Sequence, residues 1–279
     1  MVGGPDLLTN GLTVYRGDLR AAFRKLSEYG YEGVELMVRQ PDVLNGEEIA
    51  GWLKESGLEL AAICTGALWP EERLGLLKPD LTISRSAMAR FHSIVDFAAA
   101  HFPPGVLINI GRSRGEGDPS RPELTLEVAA EAFRELADYA LNKQVRFVLE
   151  PVTICLVNFI ITAEDALRMV KRVARANFGL MLDVSQMNIE EASIEGAFRE
   201  AREACWHIHV CDNNRRWPGS AHLDFDSIFA VLREIEYSGY VSTEMLAWPD
   251  SETAARCAIA HLRKLIPSRV SHGGRTPDS

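Results

Sequence analysis

One unit recurs along this chain and limits what it can fold into. A short, almost wholly apolar segment is followed by a turn, and then by a stretch with apolar residues at helical spacing. The apolar segments fall at 33–38, 58–64, 106–110, 145–150, 178–183, 206–212 and 239–244, and a first strand is expected near residues 7–9. Helices are expected from an Asp18 N-cap to Gly30, then over 45–56, from Ser84 or Ser86 to His101, and over 124–142, 163–174, 193–203, 225–237 and 251–265. Residues 66–82, with Trp69-Pro70, read as an irregular excursion, and 111–119 as a loop by glycine and proline content. Eight strand–helix units with a mean period of about 30 residues predict an α/β protein, a single-domain (β/α)8 TIM barrel over 1–266. The apolar strands suit a parallel sheet buried on both faces. A doubly wound open sheet is the alternative. It would want a glycine-rich turn after its first strand, whereas Gly111 to Gly117 follows a middle one. Residues 267–279, rich in Ser, Gly, Arg and Pro, read as a disordered tail.

Charge and length exclude several classes. The net charge of −9 is wrong for a protein that grips a phosphate backbone, so no nucleic-acid partner is expected. No apolar run is long enough for a membrane span, and the first residues carry neither a basic nor an apolar leader region. The five cysteines form no C-x-x-C pair and read as free thiols in a reducing, cytoplasmic compartment. A small neutral molecule is the natural partner, and homo-oligomerisation is compatible with the composition.

The chemistry concentrates in the last four units. Residues 206–212 alternate apolar and polar, so His207 and His209 project from one face of a strand, where an imidazole needs a partner. Glu150 ends the fifth strand, Asp183 the sixth and Glu244 the eighth, while His209 lies toward the end of the seventh. In a barrel those ends surround one mouth, the face on which barrel active sites lie. Three carboxylates held together repel unless a cation joins them, and one imidazole is too little. A divalent ion bound by Glu150, Asp183, His209 and Glu244 is therefore expected. Three oxygen donors and one nitrogen suit Mn²⁺ best, with Mg²⁺, Co²⁺ or Zn²⁺ as alternatives.

At these residues the chain resembles the xylose-isomerase-like barrel superfamily of sugar isomerases and epimerases, nearest to its ketose 3-epimerases and hydroxypyruvate isomerases. The resemblance runs from Gly30-Tyr31-Glu32-Gly33-Val34-Glu35-Leu36, through Leu149-Glu150-Pro151 with Asn158 and Thr162, to Leu182-Asp183 with Met187 to Glu191. It continues through His207-x-His209-x-x-Asp212 with Arg215 and Pro218-Gly219, and ends at Gly239 to Glu244. It implies that the four donors bind one metal, that Glu150 and Glu244 are the proton-transfer pair, and that Arg215 contacts a carbohydrate substrate. The implied reaction is isomerisation or epimerisation by proton abstraction beside a carbonyl, through a metal-bound enediolate. His207, Gln186 and Trp69 complete the expected substrate-binding set. The sequence departs from the pattern twice: Gln186 stands where those epimerases carry His, and Leu156 where they carry Glu. The segment 152–157 is nearly all apolar. Either it packs beneath a neighbouring loop, or the pocket wall accepts an apolar part of the substrate, which Trp69 and Trp217 would suit. The departures also keep open a lyase on the same scaffold, of the inosose or 3-dehydroshikimate dehydratase kind or a C-glycoside deglycosidase. A DNA-repair endonuclease of related fold would need more histidines than seven and a basic groove. A non-catalytic sugar-binding barrel would have no use for all four donors.

Overall fold

The computed structural model describes residues 1–9 and 11–266; the expected tail, 267–279, lies outside them. Nine strands are present among the described residues: β1 (Val2–Gly3), β2 (Tyr15–Arg16), β3 (Gly33–Met37), β4 (Glu59–Cys64), β5 (Leu107–Ile110), β6 (Arg146–Leu149), β7 (Phe178–Asp183), β8 (Cys205–Val210) and β9 (Tyr240–Thr243). All pair in parallel, in the order β2-β1-β3-β4-β5-β6-β7-β8-β9. The amino group of Met1 donates to the Thr243 carbonyl at 2.8 Å, which brings β9 round to β1. The fold is the expected (β/α)8 barrel, with β2 as a short extra strand on the edge of β1.

Among the described residues, ten α-helices accompany the strands: α1 (Leu19–Tyr29), α2 (Gly46–Ser56), α3 (Leu68–Glu72), α4 (Arg85–His101), α5 (Pro122–Leu141), α6 (Ala163–Val173), α7 (Val184–Glu190), α8 (Ile194–Ala201), α9 (Phe225–Glu234) and α10 (Ser251–Leu265). Their starts follow from local chemistry. Asp18, Asn45, Ser84, Ser193, Asp224 and Asp250 each accept a first-turn backbone N–H, and Thr162 with Asp165 forms a reciprocal capping box. Aromatic side chains lock helices onto the barrel wall. Phe147 of β6 meets Phe91 of α4 at 6.2 Å between ring centroids, and Phe178 of β7 stacks on Phe133 of α5 at 5.4 Å. Truncating one of these buried rings to alanine would cost about 3–5 kcal/mol.

Two expectations need correction. Residues 7–9 are not a strand; β1 is Val2–Gly3, which pairs with Leu36 and Met37 of β3. Leu7 instead folds back, so closely that a Cβ on Gly3 would lie 2.3 Å from its Cδ1. The N–H groups of Leu8 and Thr9 are taken by the Glu71 carboxylate rather than by a strand. Second, two helices stand where the sequence predicts none: α3 lies inside the 66–82 excursion, and α7 begins directly after β7. The N-cap of α7 is Asp183 itself, whose Oδ1 accepts the Ser185 N–H at 2.7 Å.

The barrel interior is layered. Ala62, Leu107, Val148 and Met181, from the four consecutive strands β4 to β7, form an apolar cluster of their own. Strand periodicity places the residues two further along on the same inner face, one layer nearer the C-terminal mouth. These are Cys64, Asn109, Glu150 and Asp183, all buried. The polar layer therefore rests on an apolar floor.

Candidate active site

The strand ends bring the four expected donors together. Asp183 and His209 are register partners across β7 and β8, while Glu150 and Glu244 each stand one residue beyond their strands. One ligand atom from each lies within 4.8 Å of the others, and all four side chains are buried. His209 Nδ1 is buried without a hydrogen-bond partner and lies 3.8 Å from Glu244 Oε1. A buried ring nitrogen with no partner costs free energy unless something else occupies it. Three carboxylates around that nitrogen fit a hard divalent cation, which would take its lone pair in place of a proton.

Burial and the neighbouring Glu244 carboxylate raise Glu150 to about 8. Burial also raises Glu244, against the pull of His209 and Arg215. Burial would raise Asp183 too, but Arg215, His209 and the Ser185 N–H hold it below the usual carboxylate range. Burial opposes charge on His209, yet the Glu35 and Glu244 carboxylates overcome it and raise the imidazole to about 10.

Arg215 enters the cluster itself. Its Nη1 donates to Asp183 Oδ2 at 2.8 Å and to Glu244 Oε2 at 2.9 Å. The premise that one imidazole is all the chain offers against three carboxylates is thus amended, because a guanidinium shares the task. Arg215 sits in the left-handed backbone region at φ 59°, a conformation that surrounding structure must enforce. Asp212 enforces it. Its buried carboxylate accepts the N–H groups of Asn213, Gly219, Ala221, His222 and Leu223, folding the loop after β8 about one side chain.

Three further residues hold the donors in place, and sequence reasoning gave them no role. Glu35 Oε2 lies 2.7 Å from His209 Nε2 and 3.0 Å from His207 Nε2. Burial would raise the Glu35 carboxyl, but the two imidazoles hold it well below its usual range. With Nε2 engaged by a carboxylate, the Nδ1 of His209 is the atom left for a metal. Asn109 Nδ2 donates to Glu150 Oε2 at 2.9 Å. A Cβ on Gly111 would lie 2.5 Å from that same oxygen, so the glycine leaves room for the carboxylate. Arg114 is wholly buried and donates to the carbonyls of Gly111, Glu150, Phe159 and Ile160, tying the loop after β5 to the loop after β6. A polar residue at inward parity in an apolar strand, as in Val34-Glu35-Leu36 and Ile108-Asn109-Ile110, is the signal that would have found the first two. Arg114 carries none.

Besides Arg215, the expected substrate-binding residues stand on separate elements. His207 is fully buried beside His209 and bonded to Glu35. Gln186, in α7, accepts the Thr153 N–H on its Oε1 at 3.1 Å and so braces the loop after β6. Trp69 lies in α3, packed against Gly75 beneath the Arg73 guanidinium. Trp217 stacks on Trp248 at 6.0 Å, and Arg216 covers Trp248 at 3.4 Å. Segment 152–157 does not pack away as a whole, because Ile154, Cys155 and Leu156 are exposed.

Known proteins resemble the chain over most of its length. A family described as xylose isomerase-like TIM barrel matches residues 23–265. A 3-dehydro-D-guloside 4-epimerase of Escherichia coli (strain K12) is 30% identical over 254 residues, covering 86% of this chain and 92% of that protein. A probable ketose 3-epimerase of Synechocystis sp. is 26% identical over 248 residues, covering 86% and 83%. Among solved structures, a D-allulose 3-epimerase from Methylomonas sp. superposes with a TM-score of 0.77 at 22% identity, covering 95% of this chain and 97% of that one.

Proposed function

Because the chain belongs to the xylose isomerase-like TIM barrel family, we propose that it is a divalent-metal-dependent epimerase or isomerase of a ketose or keto-sugar derivative. The observation that carries this reading is the four-donor cluster around the unpartnered Nδ1 of His209. A keto-sugar derivative stands beside the free ketose because one relative is named for a guloside, a sugar that carries a substituent.

Glu150, Asp183, His209 and Glu244 would hold the ion, with Mn²⁺ the first choice for the donor set and Mg²⁺, Co²⁺ or Zn²⁺ the alternatives. When bound, the ion would supply positive charge to the oxygens that become negative as a proton leaves the neighbouring carbon. Glu150 and Glu244 come from strands separated by two others, so a substrate between them shows one face to each. One carboxylate takes the proton as the C–H electron pair moves into the carbonyl. The other, present as the carboxylic acid, returns its proton to the opposite face of the same carbon, giving epimerisation, or to the adjacent carbon while the hydroxyl proton passes between the two oxygens, giving isomerisation. Asn109 orients Glu150 for this transfer. Arg215 binds substrate hydroxyls from the Asp212-organised loop, and the Nε2 of Gln186 serves another. His207 acts through Glu35. The five free cysteines accord with a reducing, cytoplasmic setting.

The test is hydrogen exchange in deuterium oxide with Mn²⁺, followed by NMR. Exchange beside the carbonyl of a keto-sugar, abolished as net turnover in Glu150→Gln and in Glu244→Gln, is expected. Absence of exchange across ketoses, inososes and oxidised glycosides, with metal bound, would sink the proposal. One observation favours a second reading, a lyase: neither Gln186 nor Leu156 can titrate near neutral pH, which leaves fewer groups to move protons among hydroxyls. An unsaturated product or a released aglycone would identify that outcome.

A further inference from the structure

The loop after β6 carries Glu150 into the cluster and then does something unusual. Val152 and Thr153 turn inward and are buried, but the next three residues, Ile154, Cys155 and Leu156, are all exposed. Ile154 is 56% exposed and Leu156 43%. Single exposed apolar residues need no explanation, whereas a run of three is a fault unless it serves a function.

Nor is the run a floppy excursion. Thr153 N–H is held by Gln186, and the Thr153 hydroxyl and Ile154 N–H by Glu190. A turn closes through Leu156 N–H to the Thr153 carbonyl at 2.9 Å. Asn158 clasps Gly117 through both backbone groups, and Arg114 grips the carbonyls of Phe159 and Ile160. Polar side chains on two neighbouring elements, α7 and the loop after β5, together with the loop's own Asn158, thus hold apolar ones in solvent beyond Glu150. The loop that follows Glu244 presents Leu246 (40% exposed) and Trp248 (45% exposed), the indole already stacked on Trp217 and partly covered by Arg216. Its backbone is pinned by the Leu246 N–H to the Arg215 carbonyl at 2.7 Å. The two loops that supply the proton-transfer pair therefore also supply apolar surface beside it.

We propose that these two loops form a subsite for an apolar substituent on the sugar, so that the preferred substrate is an oxidised glycoside with an aryl or alkyl aglycone rather than a free ketose. The inference rests on the keto-sugar reading above. The sugar end meets the donors, Arg215 and Gln186; the aglycone covers Ile154 and Leu156, with Leu246 and the edge of Trp248 bordering it. Covering exposed apolar surface strengthens binding without altering the proton transfer, so the preference falls mainly on KM.

The experiment compares the Mn²⁺-loaded enzyme on 3-keto methyl and 3-keto phenyl β-glucosides and on D-fructose, by NMR in deuterium oxide. The phenyl compound is expected to exceed the methyl one at least tenfold in kcat/KM, chiefly through KM. In the Ile154→Ser/Leu156→Ser variant that ratio should fall toward one, while Leu141→Ser, at an exposed leucine of α5, should leave it unchanged. Equal kcat/KM for the two glycosides, or a ratio unaffected by the double variant, overturns the subsite and leaves the epimerase reading standing. A double variant that turns a dimer into a monomer by light scattering, with the ratio intact, also overturns it and marks the patch as a contact between copies. No exchange on any of the three sugars with metal bound removes both readings.

Discussion

Strands β6 to β9 each deliver one donor to the cluster: Glu150, Asp183, His209 and Glu244. Strands β3 and β5 reach the same polar layer and deliver none; they contribute Glu35 and Asn109, whose hydrogen bonds end on donors. Both halves are buried, and Asn109, Glu150 and Asp183 rest on the apolar Leu107, Val148 and Met181. The difference is in what each half decides. The donor half sets which atoms are available to an ion, and the holding half sets which way those atoms face. Glu35 is the clearest case, because a carboxylate on Nε2 of His209 determines that Nδ1 looks into the cluster.

The sharpest way to break this comparison is to remove a donor. His209→Ala should lower metal affinity by about a hundredfold or more and abolish turnover, because a ligand loss exceeds the ~10–100-fold cost of losing a supporting residue. Metal content by mass spectrometry after dialysis checks it, and undiminished content would remove His209 from the donor set. Glu35→Ala probes the other half. Two buried imidazole N–H groups would lose their acceptor, which costs about 1–3 kcal/mol each in stability. Metal affinity should fall roughly 10–100-fold even though no donor is missing. Titration calorimetry giving wild-type affinity would show that the orientation of His209 needs no help from β3.

Arg215→Ala sharpens the comparison from within the donor half. The guanidinium links Asp183 to Glu244, so its loss leaves two buried carboxylates facing each other. In metal-free protein this should cost roughly 2–3 kcal/mol, or about 5–10 °C in melting temperature for a domain of this size. With saturating Mn²⁺ the deficit should shrink, since the ion replaces the lost positive charge, while KM for the sugar stays raised. A deficit that is the same with and without metal would show that the arginine and the ion do not share those carboxylates.

The two halves also differ in how far the sequence disclosed them. The barrel was legible because its strands are buried on both faces and its helices begin at unambiguous caps such as Asn45 and Ser84. The donors were legible because an acidic residue or histidine closes four successive apolar strands. β1 was not legible, since its two residues form a strand only through β3 and through Leu7 folding onto Gly3. The holders were not recognised because pairing Glu35 with His207 and His209 requires knowing that β3 faces β8 across the barrel, which no local pattern states. The Gly111 loop, weighed as a phosphate-type turn, instead leaves space for the Glu150 carboxylate. The resemblance assigns Arg215 to substrate, whereas its place between Asp183 and Glu244 depends on a left-handed backbone held by Asp212 and by the Leu246 N–H.

The smallest expected effect is a count of protons, and it bears on both halves at once. Burial and Glu244 raise Glu150 to about 8, so in metal-free protein it holds a proton at neutral pH. His209, raised to about 10 by Glu35 and Glu244 against its burial, also holds one. A metal needs the Glu150 carboxylate and the His209 Nδ1 lone pair, so both protons must leave when it binds. Binding should therefore release about two protons at pH 7 and about one near pH 9, after Glu150 has ionised. Affinity must rise with pH across that window, because protons compete with the ion for the same atoms. Calorimetry at each pH in buffers of different ionisation enthalpy gives the count directly. Glu150→Gln should remove the step near pH 8 and leave the histidine proton, which separates the two sites. Glu35→Ala should lower the pH at which the second proton leaves, because the carboxylate that stabilises the imidazolium is gone. If metal binding is pH-independent between 6 and 9, or releases no protons at pH 7, then β3 does not set the charge of the donor on β8, and the division between the two halves fails where it was drawn.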